Sequence, residues 1–258
     1  MSLTRPALRA LVRRPVASLA AGEITHIERS PVDVALAERQ WAGYVAALEG
    51  AGCATTEVAA APDAPDSVFI EDAVVVFGDT AVLTSPGAPS RRGETSGAED
   101  AVRQLGLVVH RLTLPGTLDG GDVLKVGSIV YVGQSSRTNA EGLRQLAEII
   151  TPLGYTVVPV PVTRVLHLKT AVTALPDGTV IGFPPLVDNP ALFDSFLPVP
   201  EAEGTAVVVL DADTLLMSAA APRTTDLLTG RGYRVITVDI TEFEKLEGCV
   251  TCLSVRLR

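Results

Sequence analysis

Cysteine and histidine, which can act together as nucleophile and base in catalysis, are rare in this chain. The 258 residues contain three of each, so few cysteine–histidine pairs are available. His167 lies in the motif Leu166-His-Leu-Lys169, and Cys252 follows Gly248-Cys-Val-Thr251. Such a pair needs to be close in space but not in sequence. The alternative is that Cys252 is a core thiol, since cysteine is among the most buried residue types.

Cys249 and Cys252 form a Cys-x-x-Cys motif, which also occurs in redox dithiols and in zinc sites. A redox dithiol should open a helix that lowers the thiol pKa, whereas residues 249–258 alternate like a strand. A closed zinc site needs four ligands, commonly in pairs, and the other cysteine and histidines are scattered along the sequence. The pattern therefore favours a nucleophile over a metal or redox site.

Four carboxylates lie within ten residues, in Asp63-Ala-Pro-Asp66-Ser-Val-Phe-Ile-Glu71-Asp72. A charge run of this kind is usually a solvated loop. Here, however, Glu71 and Asp72 directly precede the apolar run Ala73–Phe77, which is typical of a buried strand. Carboxylates at the entrance of a buried strand need a cation or hydrogen-bond donors. A guanidinium group would supply five donors in a planar fork.

Two further groups of charged residues are candidates for a site: two acids separated by glycines, and two arginines at equivalent points of a repeat. In Thr117-Leu-Asp119-Gly-Gly-Asp122, two glycines between two acids allow close approach of the backbone to another group, although a plain turn is the alternative. Arg91 and Arg137 occupy the same point of two repeated segments. Two convergent arginines suit a carboxylate, whereas a single arginine is more often a surface residue.

The repeated segment reads strand, tight turn, strand, arginine-bearing loop, helix and strand. It is clear in three copies, which begin at Val74, Asp122 and Ala206, and weaker in the Asp-Gly hairpin of 172–183. A fifth copy would be split: its helix is Asp33–Leu48, and its hairpin would come from the two chain ends. Fixed-period units bury their faces against neighbours, and joining the two ends closes a ring without edge strands.

The pattern therefore predicts an α/β fold of five ββαβ units closed into a propeller. The alternative, a doubly wound α/β sheet, does not have a hairpin in every unit. The sequence also contains neither Gly-x-Gly-x-x-Gly nor a Walker loop.

Composition and charge narrow the function classes. The net charge of −9 argues against nucleic-acid or anionic-membrane partners, which need a basic face. The odd number of cysteines indicates a reducing compartment, and no apolar run approaches the ~20 residues needed to span a bilayer. The arginines of the first fourteen residues faintly resemble a targeting segment, but an ordinary first strand explains them better. We expect a cytoplasmic protein with a single catalytic domain over 1–258.

Six ordered blocks resemble the dimethylarginine dimethylaminohydrolase family, within the guanidino-group-modifying enzymes. The resemblance covers nearly the whole chain and implies a five-bladed α/β propeller (pentein fold). The blocks are Glu71-Asp72, Gly87-Ala-Pro-Ser-Arg-Arg92, Leu118-Asp-Gly-Gly-Asp122, Ser136-Arg-Thr-Asn139, Leu166-His-Leu-Lys169 and Gly248-x-x-Thr-Cys252-x-Ser.

The resemblance also implies an activity: hydrolysis of Nω-methylated arginines to citrulline through a covalent S-alkylthiouronium, without a cofactor or metal. The implied roles are nucleophile for Cys252, general acid and base for His167, orientation of His167 and the guanidinium for Asp119, guanidinium binding for Asp72 with Glu71 nearby, α-amine binding for Asp66, and α-carboxylate binding for Arg91 and Arg137. It assigns no role to Cys249 or to the loop Leu19–Ile24. The expected partner is a small molecule, with a homodimer left open.

Three alternatives remain at this stage. An arginine deiminase resembles the same core but usually carries an added helical domain, for which this chain has no spare length. An amidinotransferase is typically longer and needs an acceptor-amine site. An inactive arginine-analogue-binding module is disfavoured because Cys252, His167 and Asp119 are all present.

Overall fold

The predicted unit of hairpin, crossover and third strand recurs five times in the computed structural model, which describes residues 8–257. Each sheet has three strands. The middle strand pairs antiparallel with one neighbour, its hairpin partner, and parallel with the other. The propeller predicted from the repeats is therefore confirmed.

The strands and α-helices of the described part follow in chain order. The strands are β1 (Arg9–Val12), β2 (Ala54–Glu57), β3 (Val74–Phe77), β4 (Thr80–Leu83), β5 (Val108–Arg111), β6 (Val123–Val126), β7 (Ile129–Gln134), β8 (Thr156–Pro161), β9 (Val172–Ala174), β10 (Val180–Gly182), β11 (Phe196–Pro198), β12 (Val207–Val209), β13 (Thr214–Ser218), β14 (Arg234–Val238) and β15 (Ser254–Leu257). The helices are α1 (Val34–Gly50), α2 (Thr95–Gln104), α3 (Ala140–Ile150), α4 (Leu168–Ala171), α5 (Pro222–Gly230) and α6 (Thr241–Glu244).

Turn chemistry explains why the hairpins form. Gly78 and Gly127 begin the β3–β4 and β6–β7 turns with positive φ angles of 56° and 59°, which glycine adopts without steric cost. In the β12–β13 turn, the Asp211 carboxylate accepts the backbone N–H groups of Asp213 and Thr214 at 2.8 and 2.7 Å. The Asp211 side chain therefore closes the turn in place of a backbone carbonyl.

The fourth unit differs from the others in its crossover. An α-helix connects the second and third strands elsewhere, but β10 and β11 are joined by two short 3₁₀ helices, Pro184–Leu186 and Pro190–Leu192. The prolines that open both segments carry no N–H group, so they can start a helical turn but not continue one. This explains why the repeat is weak here in the sequence.

The split unit closes the ring. Strand β1 lies between β15 and β2, with Arg9 opposite Leu257 and also opposite Ala54. Helix α1 begins after Asp33, whose carboxylate accepts the N–H of Leu36 at 2.9 Å, so the predicted helix is confirmed. The predicted alternation of residues 249–258 is only partly right. Residues up to Leu253 form turns, and the strand begins at Ser254.

The first strands of the sheets surround a central cavity of about 370 Å³. Valines of β3, β6, β12 and β15 line it, as does Thr173 of β9. Charged groups also reach it: the Glu71 carboxylate lies 2.7 Å from both Lys169 Nζ and Arg256 Nη2. Among residues 8–257, no helix has the length and apolar character that crossing a bilayer requires.

Candidate active site

A second, small cavity of about 20 Å³ lies among loops contributed by several units. Six of the eight residues predicted to form a site line it: Asp66, Asp72, Arg91, Arg137, His167 and Cys252. The volume is enough for about one water molecule. A larger ligand can therefore enter only if some of the lining residues move.

Cys252 is placed by a turn that directly precedes β15. Its N–H donates to the carbonyl of Cys249 at 3.1 Å, and its own carbonyl accepts the N–H of Glu71 at 3.2 Å. The second bond attaches the turn to the carboxylate segment. Cys252 is 6% exposed as a residue, and its sulfur lies 3.3 Å from that of Cys249. The hydrogen bond with Cys249, reinforced by burial and nearby carboxylates, holds the pKa of Cys252 well above its usual value.

His167 immediately precedes α4 and is held from both sides. The next N–H, that of Leu168, donates to the buried Asp122 at 2.8 Å and so fixes the backbone at the histidine. On the ring, Nε2 lies 3.0 Å from Asp119 Oδ2, and Nδ1 lies 3.9 Å from Asp72 Oδ1. Burial opposes the charged form, but Asp72 and the hydrogen bond to Asp119 outweigh it and raise the pKa of His167 to about 9. The imidazole is therefore protonated at neutral pH.

The two glycines after Asp119 are required by close packing. A side-chain carbon at Gly120 would lie 2.0 Å from the carbonyl oxygen of Glu71. One at Gly121 would lie 2.7 Å from His167 Nδ1 and 2.8 Å from Asp72 Oδ1. The close approach inferred from the sequence therefore brings the Asp119 loop against the histidine and the carboxylate segment.

The carboxylate of Asp72 connects these elements. It accepts the N–H of Gly121 at 2.8 Å and Arg91 Nη1 at 2.7 Å. Burial would raise its pKa, but His167 and Arg91 outweigh burial and lower the pKa to about 2. Asp72 is therefore charged wherever the protein is folded near neutrality.

Arg91 is saturated with internal partners. Besides Asp72, its guanidinium donates to Glu94, at 2.8 Å from Nη2, and to the backbone carbonyls of Asp66 and Phe69. Each of its three nitrogens therefore already has an acceptor inside the protein.

Arg137 is engaged differently. Its Nη2 atom donates to Glu23 Oε2 at 2.9 Å, whereas its buried Nη1 has no hydrogen-bond partner and lies 3.8 Å from Asp119. An unsatisfied buried donor on a cationic group is costly and calls for an acceptor. Of the two predicted arginines, Arg137 is thus the one with a free donor for a ligand carboxylate.

The segment around Glu23 covers the cavity. The N–H of Glu23 donates to Asp66 at 3.0 Å, and its carboxylate contacts Arg137 and the hydroxyl of Ser90. The residues that follow in the same segment are also held: the backbone N–H groups of Thr25 and His26 donate to the Glu247 carboxylate at 2.5 and 3.0 Å. The Glu23 side chain is 39% exposed, far more than that of its partner Arg137. We call Leu19–Thr25 the covering loop.

Two predicted residues do not line this cavity. Asp119 is fully buried behind His167: its Oδ2 contacts the imidazole, and its Oδ1 accepts the N–H of Gly87 at 2.9 Å. Glu71 turns the other way and ends in the central cavity, between Lys169 and Arg256. The structure therefore does not bring the Glu71 carboxylate beside that of Asp72, although the two residues are adjacent in sequence.

Three functional acids were not singled out from the sequence as individual residues. Asp122 fixes the backbone after His167, Glu94 partners Arg91, and Glu23 partners Arg137. Asp122 and Glu94 stand inside or beside the motif blocks, so their positions carried a signal. Glu23 contacts a residue more than a hundred positions away, and nothing local marked it.

Asp72, Asp119 and His167 also have ligand atoms within 4.8 Å of one another, a spacing that a metal ion could bridge. Metal binding requires a neutral imidazole, and the raised pKa of His167 opposes that form. The same three groups suit another arrangement, in which the two carboxylates hold and orient a protonated imidazole. A buried thiol, an imidazolium and a carboxylate that binds cations together suit nucleophilic attack on a cationic electrophile.

Comparison with known proteins shows which family the chain resembles over its whole length. The chain is 60% identical to the N(G),N(G)-dimethylarginine dimethylaminohydrolase of Streptomyces coelicolor over 98% of both chains. It matches a cysteine-to-serine mutant of the Pseudomonas aeruginosa dimethylarginine dimethylaminohydrolase in complex with citrulline, with 36% identity, a TM-score of 0.89 and coverage of 96% and 98%. A dimethylarginine dimethylaminohydrolase adduct with S-methyl-L-thiocitrulline matches with 35% identity, a TM-score of 0.90 and coverage of 96% and 99%. No family model matches the chain.

The pKa of His167 should depend on Asp119. In the Asp119→Asn variant the imidazolium loses a charged acceptor, so we expect its pKa to fall by about one pH unit or more. NMR titration of the His167 ring measures this directly, and Glu99→Gln, at an exposed ion pair, is the control. An unchanged titration near pH 9 in Asp119→Asn would contradict the role of Asp119.

The raised pKa of His167 also affects stability. Because the folded pKa is raised, the contribution of His167 to the free energy of unfolding is complete below about pH 6.5 and is lost as pH rises through about 9.

Proposed function

The chain belongs to the dimethylarginine dimethylaminohydrolase family, and we propose that it hydrolyses Nω-methylated arginines to citrulline and a methylamine. The observation that carries the proposal is one small buried cavity that combines the Cys252 thiol and the His167 imidazolium with Asp72 for a cation. The same cavity holds an unsatisfied Arg137 donor for a carboxylate.

Each part of a methylated arginine has a complement in this cavity. Asp72 accepts one bond from Gly121 and one from Arg91, which leaves acceptor capacity for the substrate guanidinium. Arg137 binds the α-carboxylate through Nη1, and Asp66 binds the α-ammonium once the covering loop releases it. Arg91 acts indirectly, by holding Asp72 in place.

The substrate cation activates the nucleophile. In the free protein the thiol of Cys252 is neutral, because its hydrogen bond with Cys249, burial and nearby acids disfavour a thiolate. A guanidinium on Asp72 brings positive charge beside the sulfur and so lowers the thiol pKa. The thiol releases its proton to solvent, and the thiolate then attacks the central guanidinium carbon, so that a carbon–sulfur bond forms.

His167 performs the proton transfers. Its imidazolium protonates the departing methylamine as the carbon–nitrogen bond breaks, which leaves a covalent S-alkylthiouronium. The neutral imidazole then accepts a proton from water, which attacks the same carbon and releases citrulline as the carbon–sulfur bond breaks. The second proton of that water passes to the departing sulfur, so the cycle consumes one water and restores the thiol and the imidazolium. Asp119 keeps the ring oriented through both steps.

The test is a colorimetric citrulline assay on arginine, monomethylarginine and asymmetric dimethylarginine in parallel. We expect citrulline from both methylated substrates at rates well above that from arginine. Citrulline from arginine alone would identify a deiminase, and binding without turnover of any of the three would identify an inactive binding module.

Three further expectations stay predictions from the sequence: a homodimer, a cytoplasmic location and a single catalytic domain over 1–258.

Exchange of sulfur for oxygen distinguishes the two neighbouring cysteines. Cys252→Ser should abolish citrulline formation while leaving the melting temperature close to that of the parent, because a hydroxyl is far less acidic than a thiol. Cys249→Ser should retain most of the turnover. An inactive Cys249→Ser beside an active Cys252→Ser would reverse the assignment of the nucleophile.

The two arginines should differ in their effect on substrates with and without a carboxylate. Arg137→Ala should lower kcat/KM for asymmetric dimethylarginine by roughly 10- to 150-fold, as expected for loss of a charge-assisted hydrogen bond. It should change turnover of a small alkylamidine, which has no carboxylate, much less. Arg91→Ala should impair both substrates and lower stability, because it leaves Asp72 and Glu94 buried without their cation. Equal losses on both substrates in Arg137→Ala would mean that Arg137 serves the fold.

Glu23 holds Arg137 Nη2 beside the Nη1 donor assigned to the substrate carboxylate, so its negative charge opposes binding of that carboxylate. Glu23→Gln weakens a partly exposed ion pair, so we expect KM for asymmetric dimethylarginine to fall by about two- to five-fold with little change in kcat. Glu28→Gln removes the same charge from an exposed neighbouring position and should leave KM unchanged. A higher KM in Glu23→Gln would show instead that Glu23 binds the substrate, for example at its ammonium group.

A further inference from the structure

Two thiols meet at the active site, and the reaction uses only one of them. The sulfurs of Cys249 and Cys252 are 3.3 Å apart, whereas a disulfide bond is about 2.05 Å long. The N–H of Cys252 bonds to the carbonyl of Cys249 at 3.1 Å, so the two residues close a β-turn. Such a turn holds its end Cα atoms within about 7 Å, close to the span of about 4.4–6.8 Å that disulfides bridge. Small side-chain movements would therefore bring the sulfurs to bonding distance.

The two thiols face different cavities. Cys252 lines the 20 Å³ cavity of the active site, whereas Cys249 lines a separate cavity of about 290 Å³ whose wall includes His26, Arg164 and Thr170. Cys249 is half-buried, and Cys252 is buried. A small oxidant can therefore reach Cys249 from the larger cavity without displacing the covering loop.

The charge distribution makes Cys249 the more reactive sulfur in the unliganded protein. The hydrogen bond from Cys252 stabilises a negative charge on Cys249 against the opposing effect of burial, and its pKa is lowered to about 7. The same bond raises the pKa of Cys252. Thiolates, not thiols, react with peroxides, so the first oxidation falls on Cys249.

We propose that Cys249 and Cys252 are a site of reversible oxidation, at which hydrogen peroxide converts the two thiols into an intramolecular disulfide. The Cys249 thiolate attacks one peroxide oxygen; a sulfur–oxygen bond forms, the oxygen–oxygen bond breaks, and the departing hydroxide is protonated to water. The sulfur of Cys252 then attacks that of Cys249. The sulfur–sulfur bond forms, the sulfur–oxygen bond breaks, and hydroxide leaves with the Cys252 proton as a second water. The two thiols lose two electrons, and the peroxide is reduced.

The disulfide has two consequences. It stops the oxidised sulfur of Cys249 from proceeding to the sulfinic acid, which thiol reductants do not reverse. It also blocks the nucleophile, and this effect on turnover, unlike the disulfide itself, rests on the function proposed above.

The reduced full-length protein is treated with a small molar excess of hydrogen peroxide, which catalase then removes. Mass spectrometry should show the loss of two hydrogen atoms, the loss of two of the three thiols, and one peptide in which Cys249 and Cys252 are linked. Dithiothreitol should restore both thiols. A disulfide to Cys53 or between chains, or oxygen added to Cys252 without a disulfide, would overturn the proposal. These readouts stand whether or not the protein turns over methylated arginine.

Variants connect the chemistry to activity, each compared with its own untreated rate. In the parent and in Cys53→Ala, residual citrulline formation should equal the fraction of protein still reduced, and dithiothreitol should restore it. Cys249→Ser should show neither the disulfide nor this reversible loss. The same reversible loss in Cys249→Ser would place the oxidation on Cys252 alone and refute the role of Cys249. An oxidised parent that contains the disulfide and keeps its full turnover would refute the proposed nucleophile but not the disulfide.

Discussion

The buried carboxylate of Asp72 is the constraint on which the site depends, because it joins three parts of the chain that are far apart in sequence. Arg91 reaches it from the loop after β4, the N–H of Gly121 from the loop before β6, and His167 from the residue before α4. A buried carboxylate with fewer donors would take up a proton. The cationic side chains of Arg91 and His167 keep the Asp72 carboxylate ionised. In return, the carboxylate fixes the orientation of the groups that contact it.

Opposite effects on two neighbouring groups explain why the Cys252 thiol stays neutral in the unliganded protein while the His167 imidazole is charged. The hydrogen bond with Cys249 and burial raise the pKa of the Cys252 thiol, and the nearby acids add to this effect. Acids act in the opposite sense on His167, where Asp72 and the hydrogen bond to Asp119 keep the imidazole protonated against burial. The unliganded site therefore holds an imidazolium at His167 but no thiolate at Cys252. A thiolate becomes favourable when a cation offsets these effects, which couples reactivity to the charge of the bound molecule.

The sequence predicted more of the fold than of the site. Repeated turn and strand chemistry was enough to count five units, including the one shared by β1 and β15, because each unit repeats a local pattern. The six-block resemblance led to the residues of the cavity. Glu71 shows the limit of such reasoning. It lies in the 3₁₀ helix Ile70–Asp72, where adjacent side chains diverge, and only the positions of Lys169 and Arg256 decide which cavity it enters. The contact of Glu23 with Arg137 is equally invisible to local patterns, because loop packing creates it.

The pairing of β1 with β15 has a consequence for the order in which the protein is made. Arg9 is synthesised early, yet its antiparallel partner Leu257 emerges from the ribosome only after the strands of the four other sheets. Until then β1 has one open edge, and contacts of such long sequence separation form slowly. The turn that carries Cys252 directly precedes β15. A nascent chain therefore closes its ring and positions the Cys252 thiol at the same late stage of synthesis. Until that stage an incomplete chain has no assembled site, and the open edge of β1 is exposed to pairing with strands of other chains.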